Sequence, residues 1–177
     1  DQGVLRKKFG IEPDKFIVGN VAALADHKDH LTFVDTAKEF FRNSDDAVFM
    51  IIGEGDMRLD IETRIREYGL QDKVILTGFL ENIPKFLPDF DVFLMTSKTE
   101  GLGTSVLDAM AAGVPVVATR AGGIPEMITH EENGCLADVG DAKALAQQVR
   151  KMLDQPDERN RFSRFNIKRV EEFSVSR

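Results

Sequence analysis

The fold can be inferred first from residues 91–118, which read DVFLMTSKTEGLGTSVLDAMAAGVPVVA. The runs Asp91–Met95 and Val114–Ala118 are apolar almost throughout, as expected for strands that are buried on both faces. Between them, Thr104–Ala112 has the composition of a helix, and Gly113 suits a left-handed cap at its carboxyl end. This segment therefore predicts a strand–helix–strand unit with parallel strands.

The same alternation continues in both directions along the chain. Upstream, the apolar runs Phe16–Asn20, Val48–Ile52 and Val74–Thr77 alternate with segments of helical period. Downstream, a short strand is predicted around Cys135. The predicted helical segments are His30–Asn43, Arg58–Tyr68, Ile83–Pro88, Ala142–Leu153 and Glu158–Glu172. We therefore predict one doubly wound α/β domain with a parallel, Rossmann-like sheet over residues 1–177.

Composition limits the possible classes of function. The chain has 177 residues, the length of one domain with its own core. Its formal net charge of -7 argues against general nucleic-acid binding, which needs a basic face. We expect no membrane span and no signal peptide, because the apolar runs are short and the chain opens with polar residues. The single cysteine, Cys135, excludes an internal disulfide and favours a reducing cytoplasm.

The loop after the fourth predicted strand carries the strongest local signal. In parallel sheets of this kind, ligands bind beyond the carboxyl ends of the strands. Gly101 and Gly103 stand directly before a helix, where free N–H groups and the helix dipole suit a phosphate. Glu100 and Asp108 would lie in the same crevice. On spacing alone, a glycine-rich turn capped by Thr104 explains this loop at least as well.

Three other loops give weaker signals. Gly122 and Gly123 precede a short helix after the fifth predicted strand, and Gly53–Gly55 is only a partial glycine-rich fingerprint. Lys28, after the first strand, could reach a phosphate, although a lone lysine near a helix start is usually solvated. No histidine has the spacing of a metal ligand, so surface or helix-start positions are expected for His27, His30 and His130.

Taken together, the loops match a known family pattern. Glu100 is followed after seven residues by a second acid, Asp108, and then by a run of small residues into Gly113–Thr119. The segment Ala121–Glu126 continues the pattern with the same order and spacing. In these residues the chain resembles the C-terminal domain of family-4 glycosyltransferases, which have the GT-B fold. The resemblance extends from about Phe16 to Phe173.

The resemblance implies that the chain binds a nucleotide-diphospho-sugar and assigns a role to each matching position. Lys28 would contact the diphosphate and Glu100 the donor sugar, which makes these two the expected catalytic residues. Asp108 would accept hydrogen bonds from the ribose hydroxyls. The backbone that would hold the sugar and the phosphates belongs to Gly101, Leu102, Gly103, Thr104 and Ser105. The nucleoside pocket would be lined by Gly53, Glu54, Gly78, Phe79 and Leu80.

This chain departs from the family at two positions. Asp108 replaces a glutamate, and Ala23 stands where the family often has an arginine. Neutralisation of the diphosphate would therefore depend more on Lys28 and on the helix dipole. Retention of the anomeric configuration is expected from the resemblance. We also expect no metal and no other cofactor, on the interpretation that the sequence contains no Asp-x-Asp motif for a divalent ion.

The resemblance further implies that an acceptor-binding N-terminal domain is missing from this chain. We therefore expect an isolated donor-binding domain that transfers no sugar alone, with any membrane association through the missing domain. A non-enzymatic nucleotide-binding domain and one half of a sugar-nucleotide epimerase stay open as alternatives, although the spacing of Glu100 and Asp108 favours the transferase. The donor base, the sugar, the acceptor (a glycan, a lipid or a small molecule) and the oligomeric state are not specified.

Overall fold

A computed structural model describes residues 3–101 and 103–175. One sheet of six parallel strands has the order β3-β2-β1-β4-β5-β6. The strands are β1 (Phe16–Val21), β2 (Ala47–Ile52), β3 (Val74–Gly78), β4 (Val92–Met95), β5 (Val116–Thr119) and β6 (Cys135–Ala137). The helices are α1 (Val4–Phe9), α2 (His30–Phe41), α3 (Arg58–Glu67), α4 (Ile83–Phe86), α5 (Thr104–Ala111), α6 (Ile124–Met127), α7 (Ala142–Asp154) and α8 (Pro156–Val175).

Helices cover both faces of the sheet, which confirms the predicted doubly wound α/β fold. One face packs against α2, α3 and α7 through a core that includes Phe33, Ile61 and Leu145. The other face packs against α1, α5 and α6 through a core that includes Leu5 and Val106. All residues of β4 and β5 are buried, as their continuous apolar character predicts.

The carboxyl end of α5 confirms the predicted glycine cap. Gly113 has a φ of 74°, and its N–H donates to the carbonyl of Met110 at 3.0 Å. The N–H of Val114 donates to the carbonyl of Ala109 at 2.9 Å, so the two bonds form a Schellman motif. The cap turns the chain directly into β5. Strand β5 starts at Val116, two residues after the predicted start.

Helix α1 has no counterpart among the predicted elements. Its six residues carry no capping side chain of their own. Instead the carboxylate of Asp89 accepts hydrogen bonds from the N–H groups of Gly3 at 2.7 Å and Leu5 at 2.8 Å. A residue more than eighty positions away thus caps this helix, and local sequence patterns do not show such a contact.

Asp89 also corrects the interpretation that the chain lacks an Asp-x-Asp motif. Asp89, Phe90 and Asp91 have that spacing. They precede β4 and lie at the end of the sheet opposite to its carboxyl edge. The Asp91 carboxylate accepts a hydrogen bond from the N–H of Ile17 at 2.8 Å, and burial raises the pKa of Asp91. Both carboxylates therefore bind backbone amides.

None of the helices in the described part of the chain combines the length and the apolar character that a membrane crossing requires. The thiol of Cys135 is buried in β6, and this burial raises its pKa to about 11. At neutral pH the thiol is therefore protonated and inert.

Candidate functional site

The candidate site lies where β1 and β4 adjoin. After β1 the chain continues into α2 on one face of the sheet, and after β4 it continues into α5 on the other face. This reversal leaves a crevice at the carboxyl ends of the two strands, the usual ligand site of open α/β sheets. The loop after β1 provides Lys28, and the loop after β4 provides Glu100.

Hydrogen bonds to main-chain carbonyls fix these two loops against each other. The Thr96 hydroxyl donates to the carbonyl of Asp29 at 2.9 Å, and the N–H of Lys98 donates to the carbonyl of His27 at 2.8 Å. On the other side, the Thr119 hydroxyl donates to the carbonyl of Ser97 at 2.7 Å. The donors are one main-chain N–H and two buried threonine hydroxyls, so these bonds position both loops without using the side chains of Lys28 and Glu100.

Lys28 and Glu100 form a bidentate ion pair. The Lys28 Nζ lies 2.8 Å from Glu100 Oε1 and 3.0 Å from Oε2. Their side chains are only 16% and 8% exposed, respectively. Each of these two charges compensates the burial of the other, because leaving either one buried without its partner costs on the order of 3–5 kcal/mol. The structure thus brings together the two predicted catalytic residues, whose roles towards a donor stay predictions.

The two glycine-rich loops pack closely on each other. Gly122 has a φ of 48°, and a Cβ there would overlap the carbonyl oxygen of Glu100. The N–H of Gly123 donates to that same carbonyl at 3.2 Å, and a Cβ on Gly123 would meet the carbonyl of Gly101. Gly122 and Gly123 therefore hold the backbone of Glu100. Sequence reasoning treated them as a separate, weak signal and missed this contact.

Helix α5 begins directly after this contact. Its N-cap is Gly103, with a φ of 59° and no side-chain cap, so the alternative in which Thr104 caps the helix is wrong. Thr104 is exposed and Ser105 is half-buried at the first turn. The first N–H groups of a helix have no acceptor within the helix, so this turn can donate to an anion. Gly101 is exposed, and Leu102 lies outside the described residues.

The predicted nucleoside-binding residues form a second group on the same edge of the sheet. The N–H of Gly53 donates to the carbonyl of Gly78 at 3.1 Å, which joins the ends of β2 and β3. The carbonyl of Glu54 accepts from the N–H of Leu24 at 2.9 Å, which ties this group to the loop after β1. Phe79 is 74% exposed, whereas Leu80 packs partly against the core.

The side chain of Glu54 lies beside this turn. Its carboxylate is 3.0 Å from Nη1 of Arg58, and a Cβ on Gly78 would approach it to 3.3 Å. Gly78 has a φ of 75°, so a larger residue would be strained at this position. The loops after β1, β2 and β3 thus form one continuous rim, as expected if they line one pocket.

Asp108 faces a groove rather than the ion pair. It is exposed on α5 and lines a cavity of about 350 Å³. The other lining residues belong to α4, to the turn that follows it and to the end of α5: Pro84, Leu87, Pro88, Ala111 and Ala112. Within residues 3–101 and 103–175, no hydrogen bond or ion pair joins Asp108 to Lys28 or Glu100. Its predicted role at a ribose therefore stays a prediction.

A second cavity, of about 400 Å³, lies elsewhere, between the ends of α2 and α7. Arg150, one of the residues that line it, binds the carboxylates of Asp46 and Asp154, each at 2.7 Å. Asp46 immediately precedes β2, so this cavity is at the amino end of the strands, away from the crevice. It is therefore not part of the candidate site.

Two of the histidines, His30 and His130, form hydrogen bonds with the backbone. His30 is buried at the start of α2, and its Nε2 lies 3.0 Å from the carbonyl of Ala23. Burial, assisted by the Lys28 cation, lowers the pKa of His30 to about 4, so the ring is neutral at pH 7. His130 accepts a hydrogen bond from the N–H of Leu136 at 2.9 Å. In the part of the chain that the structure describes, no three His, Cys, Asp or Glu side chains cluster as metal ligands.

Comparison with known proteins agrees with this geometry. A family model described as glycosyl transferases group 1 matches residues 1–169. A 2-deoxystreptamine glucosyltransferase from Streptomyces kanamyceticus is 36% identical over 155 residues, which cover 86% of this chain and 40% of that protein. The chain therefore spans less than half the length of this relative.

Solved structures show the same fold. The Anabaena protein HepE in complex with UDP superposes with a TM-score of 0.88 at 23% identity, covering 96% of this chain and 47% of that one. The C-terminal domain of a glycosyl transferase group 1 family protein from Francisella tularensis superposes with a TM-score of 0.81 at 24% identity, covering 95% of this chain and 90% of that domain. The six-stranded sheet thus matches the C-terminal domain of GT-B glycosyltransferases, and the chain belongs to the glycosyl transferases group 1 family.

Proposed function

We propose that this chain is the donor-binding domain of a retaining glycosyltransferase that uses a nucleotide-diphospho-sugar. The observation that carries the proposal is the Lys28–Glu100 pair at the junction of β1 and β4, beside the glycine-rich start of α5. A cation and helix amides suit a diphosphate, and an adjacent carboxylate suits sugar hydroxyls. The UDP bound to HepE, a protein of the same fold, supports a nucleoside diphosphate as the ligand class.

In this proposal Lys28 and the first turn of α5 stabilise the leaving group. Negative charge grows on the diphosphate as the bond to the anomeric carbon breaks. Groups that are already oriented towards that charge stabilise the transition state more than water does. Ala23 is exposed and carries no charge, so Lys28 is the cation on the loop after β1 that serves this purpose. A protein cation and helix amides meet the requirement without a metal ion.

The rest of the donor would lie along the same edge of the sheet. The turn of Gly53 and Gly78, with the exposed ring of Phe79, would contact the nucleoside. Asp108 would contact the ribose from the second turn of α5. The acceptor would bind to a second domain, since this chain covers 40% of a full-length relative. The buried thiol of Cys135, protonated at neutral pH, is compatible with a cytoplasmic protein.

Titration calorimetry of the 177-residue chain with UDP, GDP and ADP tests the proposal. We expect one of these to bind, and Lys28→Ala to weaken that binding on the order of tenfold or more, the value of a charge-assisted hydrogen bond. Lys98→Ala is the matched control. Lys98 follows β4 but pairs with Asp26 and is 46% exposed, so its removal leaves binding nearly unchanged. The absence of binding to all three nucleotides would overturn the proposal.

A further inference from the structure

Lys28 and Glu100 neutralise each other's charge and form hydrogen bonds with each other. The Lys28 ammonium donates to both oxygens of Glu100, at 2.8 and 3.0 Å. The carboxylate is 8% exposed and the lysine side chain 16% exposed, so water screens this attraction only weakly. An anion that binds to Lys28 must therefore compete with the carboxylate of Glu100, which is already bound to it.

We infer that Glu100 is an internal competitor of the diphosphate for Lys28, and that this competition selects the intact donor over the nucleoside diphosphate product. The inference rests on the proposed function. A nucleoside diphosphate would satisfy Lys28 but leave Glu100 without its cation in a nearly buried position. A nucleotide sugar would satisfy both groups, because its phosphates replace Glu100 at the lysine and its hydroxyls donate to the displaced carboxylate.

Two cations that follow the carboxyl ends of β2 and β4 are bound elsewhere, which strengthens the inference. Lys98 pairs with Asp26, and Arg58 is held by Glu54 and Glu62 at 3.0 and 2.8 Å. Position 23, where the resemblance to the family would place a second cation, is alanine. Competition for Lys28 therefore bears directly on how tightly a diphosphate binds.

The same competition gives Glu100 a part in the catalytic cycle. Once the sugar has been transferred, the hydroxyl donors leave the carboxylate, and the pairing of Glu100 with Lys28 becomes favourable again. Return of the carboxylate to the lysine then displaces the nucleoside diphosphate. Glu100 thus links departure of the sugar to release of the second product, without movement of the loops, which hydrogen bonds to main-chain carbonyls hold in place.

The test is the affinity of Glu100→Gln and Glu100→Ala for UDP, GDP and ADP, and for the corresponding nucleotide sugars, measured by calorimetry. We expect both variants to bind the nucleoside diphosphate on the order of tenfold more tightly than the unmodified chain, the factor that corresponds to one charge-assisted hydrogen bond. The affinity for the nucleotide sugar should rise less or fall, because the sugar loses its acceptor. The alanine variant excludes a new hydrogen bond from the glutamine amide as the cause.

Glu126→Gln is the matched control, since it removes one negative charge from α6, directly after the neighbouring glycine-rich loop, but leaves the Lys28–Glu100 pair intact. A similar gain in this variant would show a general charge effect and overturn the inference. Melting temperatures of all variants confirm that each is folded.

If the unmodified chain binds a nucleoside diphosphate but both Glu100 variants bind it equally or less tightly, the inference is wrong and the proposed function stands. If neither the unmodified chain nor any variant binds a nucleotide, both are wrong.

Discussion

Gly122 lies so close to Glu100 that a single methyl group on its Cα would overlap the Glu100 carbonyl oxygen. The contact joins the loop after β5 to the loop after β4, at the residue whose carboxylate holds Lys28. The position of the carboxylate in the crevice is therefore set partly by a residue that cannot contact a ligand through a side chain.

Gly122→Ala should destabilise the chain by about 2–4 kcal/mol, because it adds a steric overlap to the strain of a positive φ. Gly140→Ala separates the two effects. Gly140 has a φ of 79° with no described atom within 4 Å of an added Cβ, so only the strain of about 1–2 kcal/mol applies. Urea unfolding measures both values. Equal losses in the two variants would show that the contact with Glu100 is not tight.

Asp108→Asn should weaken binding of the preferred nucleoside diphosphate by about threefold to tenfold, the value of an ordinary hydrogen bond to a ribose hydroxyl. Its melting temperature should stay nearly unchanged, because the side chain is exposed. Asp141→Ala provides the opposite pattern. Asp141 caps α7 by accepting from the N–H of Ala144 at 3.0 Å, so removing this acceptor should lower stability by about 1 kcal/mol and leave the affinity unchanged. Unchanged affinity in Asp108→Asn would remove this residue from the site.

Stability should fall on mild acidification because of His30. Its pKa of about 4 in the folded chain is below the ordinary value of 6.5, so the unfolded chain takes up a proton first. The contribution is fully present above pH 6.5 and is lost as the pH falls from 6.5 towards 4. Between pH 7.5 and 5 it amounts to about 2 kcal/mol.

Urea unfolding at these two pH values checks this expectation. The difference should shrink in His30→Gln, which removes the titrating ring. It should persist in His27→Gln, since His27 is exposed. An unchanged difference in His30→Gln would assign the acid sensitivity to other groups.

Asn166→Ala should destabilise the chain by about 2–3 kcal/mol, because it removes one partner of a buried pair. The amide of Asn166 donates to the carbonyl of Asn133 at 2.9 Å, and the amide of Asn133 donates to Asn166 Oδ1 at 3.1 Å. The variant leaves the Asn133 polar groups buried with fewer partners. Asn160→Ala on the exposed side of α8 should change the unfolding free energy by less than about 0.5 kcal/mol. Equal effects at both positions would contradict this account of the pair.

The fold class was predictable from the sequence because buried parallel strands and amphipathic helices leave local patterns. The apolar run Val92–Met95 and the glycine cap at Gly113 are examples, since each depends on neighbouring residues alone. The order of the strands leaves no such pattern. The spacing of residues along the chain did not predict that Lys28 and Glu100 are close to each other. The resemblance to a family did, because it assigned both residues to the same donor.

Contacts between distant segments account for what the sequence did not reveal. Helix α1 depends on Asp89, and the glycine at 122 depends on a carbonyl of another loop. Thr104 has a residue type that caps helices, yet Gly103 takes that place, because only a left-handed conformation fits the turn there. The Asp-x-Asp spacing at Asp89 and Asp91 likewise does not by itself indicate a metal site. In the structure both carboxylates accept hydrogen bonds from backbone N–H groups of distant residues.

The central position of β1 has a consequence for how the chain folds. Strands β1, β2 and β3 follow one another both in the sequence and in the sheet. Strand β4 instead pairs with β1, which is distant in sequence, so that Val92 lies beside Val18. Closing so long a loop is entropically unfavourable until the new edge is paired. Any state in which β4 is detached carries Lys28 without Glu100, and therefore has no complete site. A nucleotide that binds only the complete site would stabilise the fully formed sheet. It would not stabilise partly folded states in which β4 is detached.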